Sequence, residues 1–332
     1  MAKRGVLLVA FGGPDCLDAV GPFMCSLMGR EAPEAAVASA KVRYLAIGGA
    51  SPLPAIAERM AAQLERELSG MPREPGLRAP GEVRVPVRVG MRYTAPTIER
   101  AVAELNGMGC REAVWVSLSP FEAAVTTGAY EEAVEAAVAA FPGMRAVEAA
   151  RYNRSDGFVG FLADEVVDLT HEADILKNRT LVVFTAHSLP VADIEADPSY
   201  VDQLRETASA VAAGAGLGEA SGFDALPGIE AFGGPGVAAP WLLAFQSKGR
   251  TPGDWVGPDL DDVIDAAAAE GFATLIVCPV GFATDHMETL YDLDVLAADR
   301  ALLAEMEWYR GRVPNDDPRM IGALAESVRK VL

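Results

Sequence analysis

Residues able to do metal or proton chemistry are few in this chain and concentrate in its second half. Only three histidines occur. The segment GFATDHMETLYDLD at 281–294 gathers Asp285, His286, Glu288, Asp292 and Asp294 within ten residues. Glu288 and Asp292 are four apart, so on a helix both carboxylates share a face. Like charges at that spacing repel by roughly 0.2–0.5 kcal/mol unless a cation lies between them. A second histidine, His187, stands in TAHSLP at 185–190, directly after an apolar run, while His171 falls in a polar helical stretch and reads as solvated. Imidazole with carboxylate is a ligand set for a first-row divalent ion such as Fe²⁺, and also a proton-transfer pair near neutral pH. With no thiolate beside them, these residues argue against a closed structural zinc site and for an open, weakly held metal. A capped, soluble helix start would explain the acids at 285–294 but not the imidazoles that accompany them.

Two glycine-rich turns in the first half could approach a ligand. FGGPD at 11–15 follows the first apolar run; its glycines allow a sharp turn, Pro14 fixes it, and Asp15 is placed to cap the next helix. In RYLAIGGASPLP at 43–54 a helical stretch ends in Gly-Gly and Ser51-Pro52 opens another. Ser51 is there either a helix cap or a hydroxyl donor to an anionic group at the helix N-terminus. Neither the GxGxxG nor the GxxxxGK fingerprint is present, which weakens a nucleotide-binding reading.

The elements that must position these residues follow from hydrophobic patterning. Short apolar runs alternate with longer segments of helical period, the signature of βα units and parallel sheets. Strands are expected at 5–11, 85–91, 113–118 and 144–150, then at 181–186, 241–246, 274–280 and near Trp308–Arg312, with helices such as 53–69, 95–107 and 128–141 between them. The halves match in architecture without repeating in sequence. We expect an α/β chain of two Rossmann-like, doubly wound domains, 1–150 and 151–315, with a helix at 316–332 packing back across them. Residues 71–82 read as an exposed loop and the Gly- and Ala-rich stretch at about 213–239 as a mobile insertion. Ligands of open α/β sheets bind where strands end, and His187 and the 281–294 cluster both follow strands.

Composition bounds the partners. A formal net charge of −19 with no Lys/Arg cluster excludes nucleic acid as a partner. The four cysteines, Cys16, Cys25, Cys110 and Cys278, form no CxxC pair and suit reduced thiols in a cytoplasmic protein. No stretch approaches the ~20 apolar residues of a transmembrane segment, and Gly-Gly-Pro cuts the N-terminal apolar run short of a signal peptide.

In this order the constellations resemble the ferrochelatase family. FTAHSLP at 184–190 is similar to that family's strand-to-loop hallmark. A second hallmark is matched by Gln246-Ser247-Lys248, by Trp255-Val256-Gly257-Pro258 and by the D-H-M-E-T-L-Y run within 279–294. LLVAFGGPD, RYLAIGGASPL, VGMRYTAP and TTG at 126–128 also have counterparts, so the resemblance spans nearly the whole chain. It implies a chelatase-like fold with the active site in the cleft between two domains, and insertion of Fe²⁺, a substrate, into a porphyrin in haem biosynthesis. No organic cofactor is implied. By the resemblance, His187 and Glu288 handle metal and protons, with His187 as the base that deprotonates the pyrroles while the ring is distorted. Asp285 and His286 are auxiliary partners, and Asp292 continues an acidic track. The porphyrin-binding positions are Phe11 at the macrocycle face, Arg30, Arg43, Tyr44, Ser51 and Tyr130 at the propionates or rim, and Trp255.

The chain departs from the family pattern in places. The acid expected eight residues after Glu288 is Leu296. Before TTG, where many relatives have an aromatic and a serine, it reads Phe121-Glu122-Ala123-Ala124-Val125. A short, alanine-rich stretch between Arg30 and Tyr44 is similar to the bacterial members that metallate coproporphyrin III, which favours that substrate over protoporphyrin IX. No 2Fe–2S cluster is expected. The rival readings are a chelatase for another tetrapyrrole such as sirohydrochlorin, and a non-catalytic haem- or porphyrin-binding carrier.

Overall fold

The computed structural model describes residues 3–70, 84–173, 179–218, 239–249 and 252–332. The expected loop at 71–82 and most of the expected insertion at 213–239 lie outside these residues. Within them the chain divides into two compact units: Met1–Pro120 with Ala124–Tyr152 and Asn315–Leu332, and Phe121–Ala123 with Asn153–Pro314.

The first unit is built on strands β1 (Arg4–Ala10), β2 (Val87–Met91), β3 (Glu112–Ser117) and β4 (Arg145–Glu148), all parallel in the order β2-β1-β3-β4. Its early helices are α1 (Val20–Met28), α2 (Glu34–Ala46) and α3 (Leu53–Leu68). Leu7 and Val9 pack with Ile98, Val102 and Leu105 of α4 (Ile98–Gly107) and with Tyr130 and Val134 of α5 (Ala129–Ala139). Val6 and Leu8 alternate to the other face and are equally buried, so both faces of the sheet are covered. This is why β1 reads as one continuous apolar run rather than as an alternation.

The second unit repeats the plan. Strands β5 (Thr180–His187), β6 (Trp241–Gln246), β7 (Thr274–Cys278) and β8 (Glu307–Arg310) are parallel in the order β6-β5-β7-β8. Its early helices are α6 (Asp156–Glu172), α7 (Val191–Ala196) and α8 (Ser199–Gly214). Leu181, Val183, Leu242, Leu275 and Val277 form its core with Val263 and Ile264 of α9 (Leu260–Ala269). Each such side chain contributes on the order of 1.5–3 kcal/mol by leaving water. A π-helical segment, Glu288–Ala297, runs into α10 (Ala298–Leu303).

Side chains cap several helix starts. Thr97, Ser155, Asp259 and Asp317 each accept a backbone N–H of the following turn. Asp15 does not cap a helix: it is exposed, and a short 3₁₀ turn at Leu17–Ala19, with no side-chain cap, precedes α1. Ser51 accepts the Leu53 N–H at 3.4 Å, closing a tight local turn ahead of α3 in place of an N-terminal cap. The last helix, α11 (Pro318–Arg329), packs on α3 and β3 of the first unit, where the sequence reading expects it across both halves. Ser327 Oγ donates to the Ala150 carbonyl there.

Candidate active site

In the second unit His187 is the last residue of β5 and pairs in register with Gln246, the last of β6. The strand end is tied down on both sides. The Ser188 N–H donates to the Gln246 carbonyl at 2.8 Å, and Ser188 Oγ donates to the Val256 carbonyl at 2.7 Å. Val256 N–H returns a bond to the Leu189 carbonyl, and Val191 N–H another to Asp254. His-Ser-Leu-Pro and Trp-Val-Gly therefore lie side by side, with Pro190 opposite Trp255. A Cβ at Gly249 would stand 2.7 Å from the Trp255 ring and would displace the indole from its present place.

Glu288 opens the π-helical segment that follows β7 and its loop. Its carboxylate Oε2 lies 2.9 Å from His187 Nδ1 and 3.9 Å from His286 Nε2. The His187 and Glu288 side chains are 32% and 28% exposed, buried enough to feel each other strongly and open enough to meet a ligand. Burial alone would lower the His187 pKa, but the Glu288 charge and hydrogen bond, with Asp292 beyond, raise it above the ordinary histidine value. For Glu288, burial pushes upward, yet His187 and then His286 pull the carboxyl down to about 2. An ionised carboxylate can only accept, so Nδ1 carries the hydrogen and neutral His187 keeps a lone pair on Nε2. Gln246 Nε2 donates to the Glu288 carbonyl at 3.0 Å and fixes the start of the segment.

The remaining acids separate into two environments. Asp292 accepts the Ser247 hydroxyl at 2.5 Å, on the same segment as Glu288. Asp294 is clamped by Arg310 through two bonds of 2.7 Å, and Asp285 takes the Thr289 hydroxyl at 3.0 Å and Arg310 Nη1 at 3.5 Å. Arg310 thus neutralises Asp294 and Asp285 together and leaves Asp292 as the acid whose charge acts on His187. His286 packs its ring against Phe282, centroids 5.2 Å apart, and its Nδ1 is buried with no hydrogen-bond partner. Among the described residues, no three His, Cys, Asp or Glu side chains are gathered so as to hold a metal ion by themselves.

The other expected substrate contacts belong to the first unit. Phe11 follows β1, half-buried, with Tyr93 at 4.7 Å and Phe23 at 6.3 Å between ring centroids, and Tyr44 meets Phe23 edge-on at 6.4 Å. Gly12 beside it has φ 96°, the left-handed turn that the Gly-Gly pair suggests. Arg30 is exposed after α1, and Arg43 is half-buried with its Nε unbonded. Ser51 is buried, its N–H donating to the Pro14 carbonyl at 2.7 Å. Tyr130 is 2% exposed and packs in the core with Leu7, Val9 and Val134 of α5.

Sequence reasoning missed Arg310 and Tyr200. Arg310 ends β8, so the rule that strand ends carry function could have found it. Tyr200 sits inside the apolar stripe of α8, where nothing in the pattern separates it from core.

The fold of two four-stranded parallel sheets is that of chelatases. The chain is similar in fold to SirB from Bacillus subtilis solved with Fe³⁺, with TM-score 0.56 and 13% identity over 99% of this chain and 95% of that one. It is also similar to CbiX, the terminal enzyme of sirohaem biosynthesis in denitrifying bacteria, with TM-score 0.53 and 14% identity over 99% and 100% of the two chains. In sequence, the family model Ferrochelatase matches residues 3–332. Coproporphyrin III ferrochelatases of Geobacillus thermodenitrificans and Bacillus subtilis are 31% and 30% identical, covering 100% and 99% of this chain and 98% of each relative. The chain therefore belongs to the ferrochelatase family, the enzymes that insert iron into a porphyrin. No helix among its described residues is long and apolar enough to cross a membrane.

Proposed function

We propose that this chain inserts Fe²⁺ into coproporphyrin III in the cytoplasm, with His187 as the base and Glu288 as the group that meets the metal. The observation that carries the reading is the 2.9 Å contact between His187 Nδ1 and Glu288 Oε2. Insertion breaks two pyrrole N–H bonds, forms iron–nitrogen bonds in their place and releases two protons for each Fe²⁺, so charge balances. His187 Nε2 takes a proton, and the imidazolium that forms is stabilised by Glu288. The remaining carboxylate oxygen of Glu288 is offered to the incoming Fe²⁺, a hard enough donor to bind it and too weak alone to retain it. Asp292, with the Ser247 hydroxyl, receives protons onward along the same segment. Phe11 and its aromatic neighbours Tyr93 and Phe23 supply an apolar face for the macrocycle. Arg30 and Arg43 answer the propionates, of which coproporphyrin III has more than protoporphyrin IX. Asp285 and His286 hold the loop before Glu288, and Trp255 walls the strand end that carries His187.

Anaerobic Fe²⁺ insertion, followed by loss of the free-porphyrin spectrum with the two porphyrins side by side, tests the substrate. Faster turnover of coproporphyrin III is expected. Faster turnover of protoporphyrin IX would overturn that choice, and binding of both without turnover would favour a carrier.

A further inference from the structure

The backbone of His187 is held from a helix that the reaction does not otherwise use. Tyr200, in the first turn of α8, is 8% exposed, and its hydroxyl donates to the main-chain carbonyl of His187 at 2.9 Å. Burial, followed by the negative charge of Glu288, raises its pKa far above the ordinary tyrosine range, so the phenol remains a donor at any working pH. The Tyr200 ring meets Phe121 edge-on, with centroids 6.4 Å apart and planes at 90°. Close by on α8, the Gln203 side-chain carbonyl accepts the Glu122 N–H at 3.1 Å, while its amide donates to the Ser199 carbonyl at 2.9 Å. Phe121–Ala123 is thereby part of the second unit, although the residues on either side of it belong to the first. This is the stretch in which the chain departs from the family pattern before TTG.

We infer that Tyr200 is a positioning residue for iron insertion: its hydroxyl fixes the peptide from which the His187 imidazole projects, and Phe121 seats the ring that makes the bond. The inference rests on the reading of His187 as the base. Proton transfer needs its partners held within about 0.5 Å of the productive geometry. The imidazole hangs from the last residue of β5, whose following peptide is held by the Ser188 N–H on the Gln246 carbonyl. The Tyr200 hydroxyl on the His187 carbonyl adds a restraint from α8 to the same peptide. Phe121, edge-on to the Tyr200 ring, gives that hydroxyl a rigid support.

The test is Tyr200→Phe in the full chain, assayed for anaerobic Fe²⁺ insertion and for the His187 tautomer by side-chain ¹⁵N shifts. Tyr152→Phe is the matched control, because the Tyr152 hydroxyl makes a buried 3.0 Å bond to the Ser117 carbonyl within the first unit. Expected for Tyr200→Phe is a fall in kcat of about fivefold to tenfold, the worth of one hydrogen bond. Porphyrin KM should stay within about twofold, on the scale of uniform binding, and the tautomer should become mixed. Tyr152→Phe should keep kcat and the single tautomer. Phe121→Leu should reduce kcat in the same direction and add little in combination with Tyr200→Phe. Equal kcat per folded molecule for the two tyrosine variants, with one His187 tautomer in both, would overturn the inference. His187→Ala runs alongside: if that variant turns over normally, the underlying assignment of the base fails, a result distinguishable from failure of the Tyr200 role alone.

Discussion

Replacing Glu288 by Gln removes the charge that holds His187 and leaves the shape almost unchanged. In the folded chain the Glu288 carboxyl is depressed from 4.5 to about 2, a displacement equivalent to roughly 3 kcal/mol. With about a third of each side chain open to water, screening brings the contribution to stability down to about 1–2 kcal/mol. The sign follows from both partners. Glu288 is lowered, so its share is present above 4.5 and is lost as pH falls through the folded value. His187 is raised, so its share is complete below 6.5 and is lost as pH rises through its folded value. The pair therefore stabilises most between about pH 4.5 and 6.5. Urea unfolding of wild type and Glu288→Gln from pH 4.5 to 8.5 should show the largest difference in that window, shrinking towards pH 8.5. A difference independent of pH, or one that grows above pH 7, would refute the ion pair as described.

The same substitution should move the acid limb of the kcat/KM profile to lower pH, since the imidazole loses the carboxylate that favours its protonated form; a pH–rate profile on both proteins reads this directly. Ser247→Ala removes the hydroxyl that Asp292 accepts and should slow turnover about threefold to tenfold at unchanged porphyrin KM, measured with the solvent isotope effect on kcat. Phe11→Ala should raise porphyrin KM with little change in kcat, because it removes binding surface and leaves the reacting groups alone; fluorescence titration of the porphyrin checks it. Glu165→Leu strips the Arg312 guanidinium and backbone N–H of their acceptor and should cost about 1–3 kcal/mol in urea unfolding with kcat intact.

Most of the architecture is legible in the sequence, for an identifiable reason. Parallel strands covered on both faces are written as short unbroken apolar runs, as in LVVFTA at 181–186 and TLIVC at 274–278. The proposed base and metal-facing group, His187 and Glu288, stand out in sequence because an imidazole at one strand end and acids after another are chemically matched. Three features were not legible. The winding of 288–297 as a π-helical segment depends on backbone bonding that an apolar period of three to four does not report. Arg310 looks like an edge-strand charge until β8 places it beside Asp294 and Asp285. Tyr200 is an aromatic position in an apolar helical stripe, and its bond to the His187 carbonyl is visible only once α8 is set beside the end of β5.

The most direct test of the account is single-turnover Fe²⁺ insertion under anaerobic conditions by the His187→Ala variant, with porphyrin affinity measured on the same preparation. If His187 is the base, insertion falls by about a hundredfold or more while the porphyrin still binds within a few-fold of wild type. A variant that inserts iron at close to the wild-type rate would contradict the assignment and return the proton chemistry to other groups.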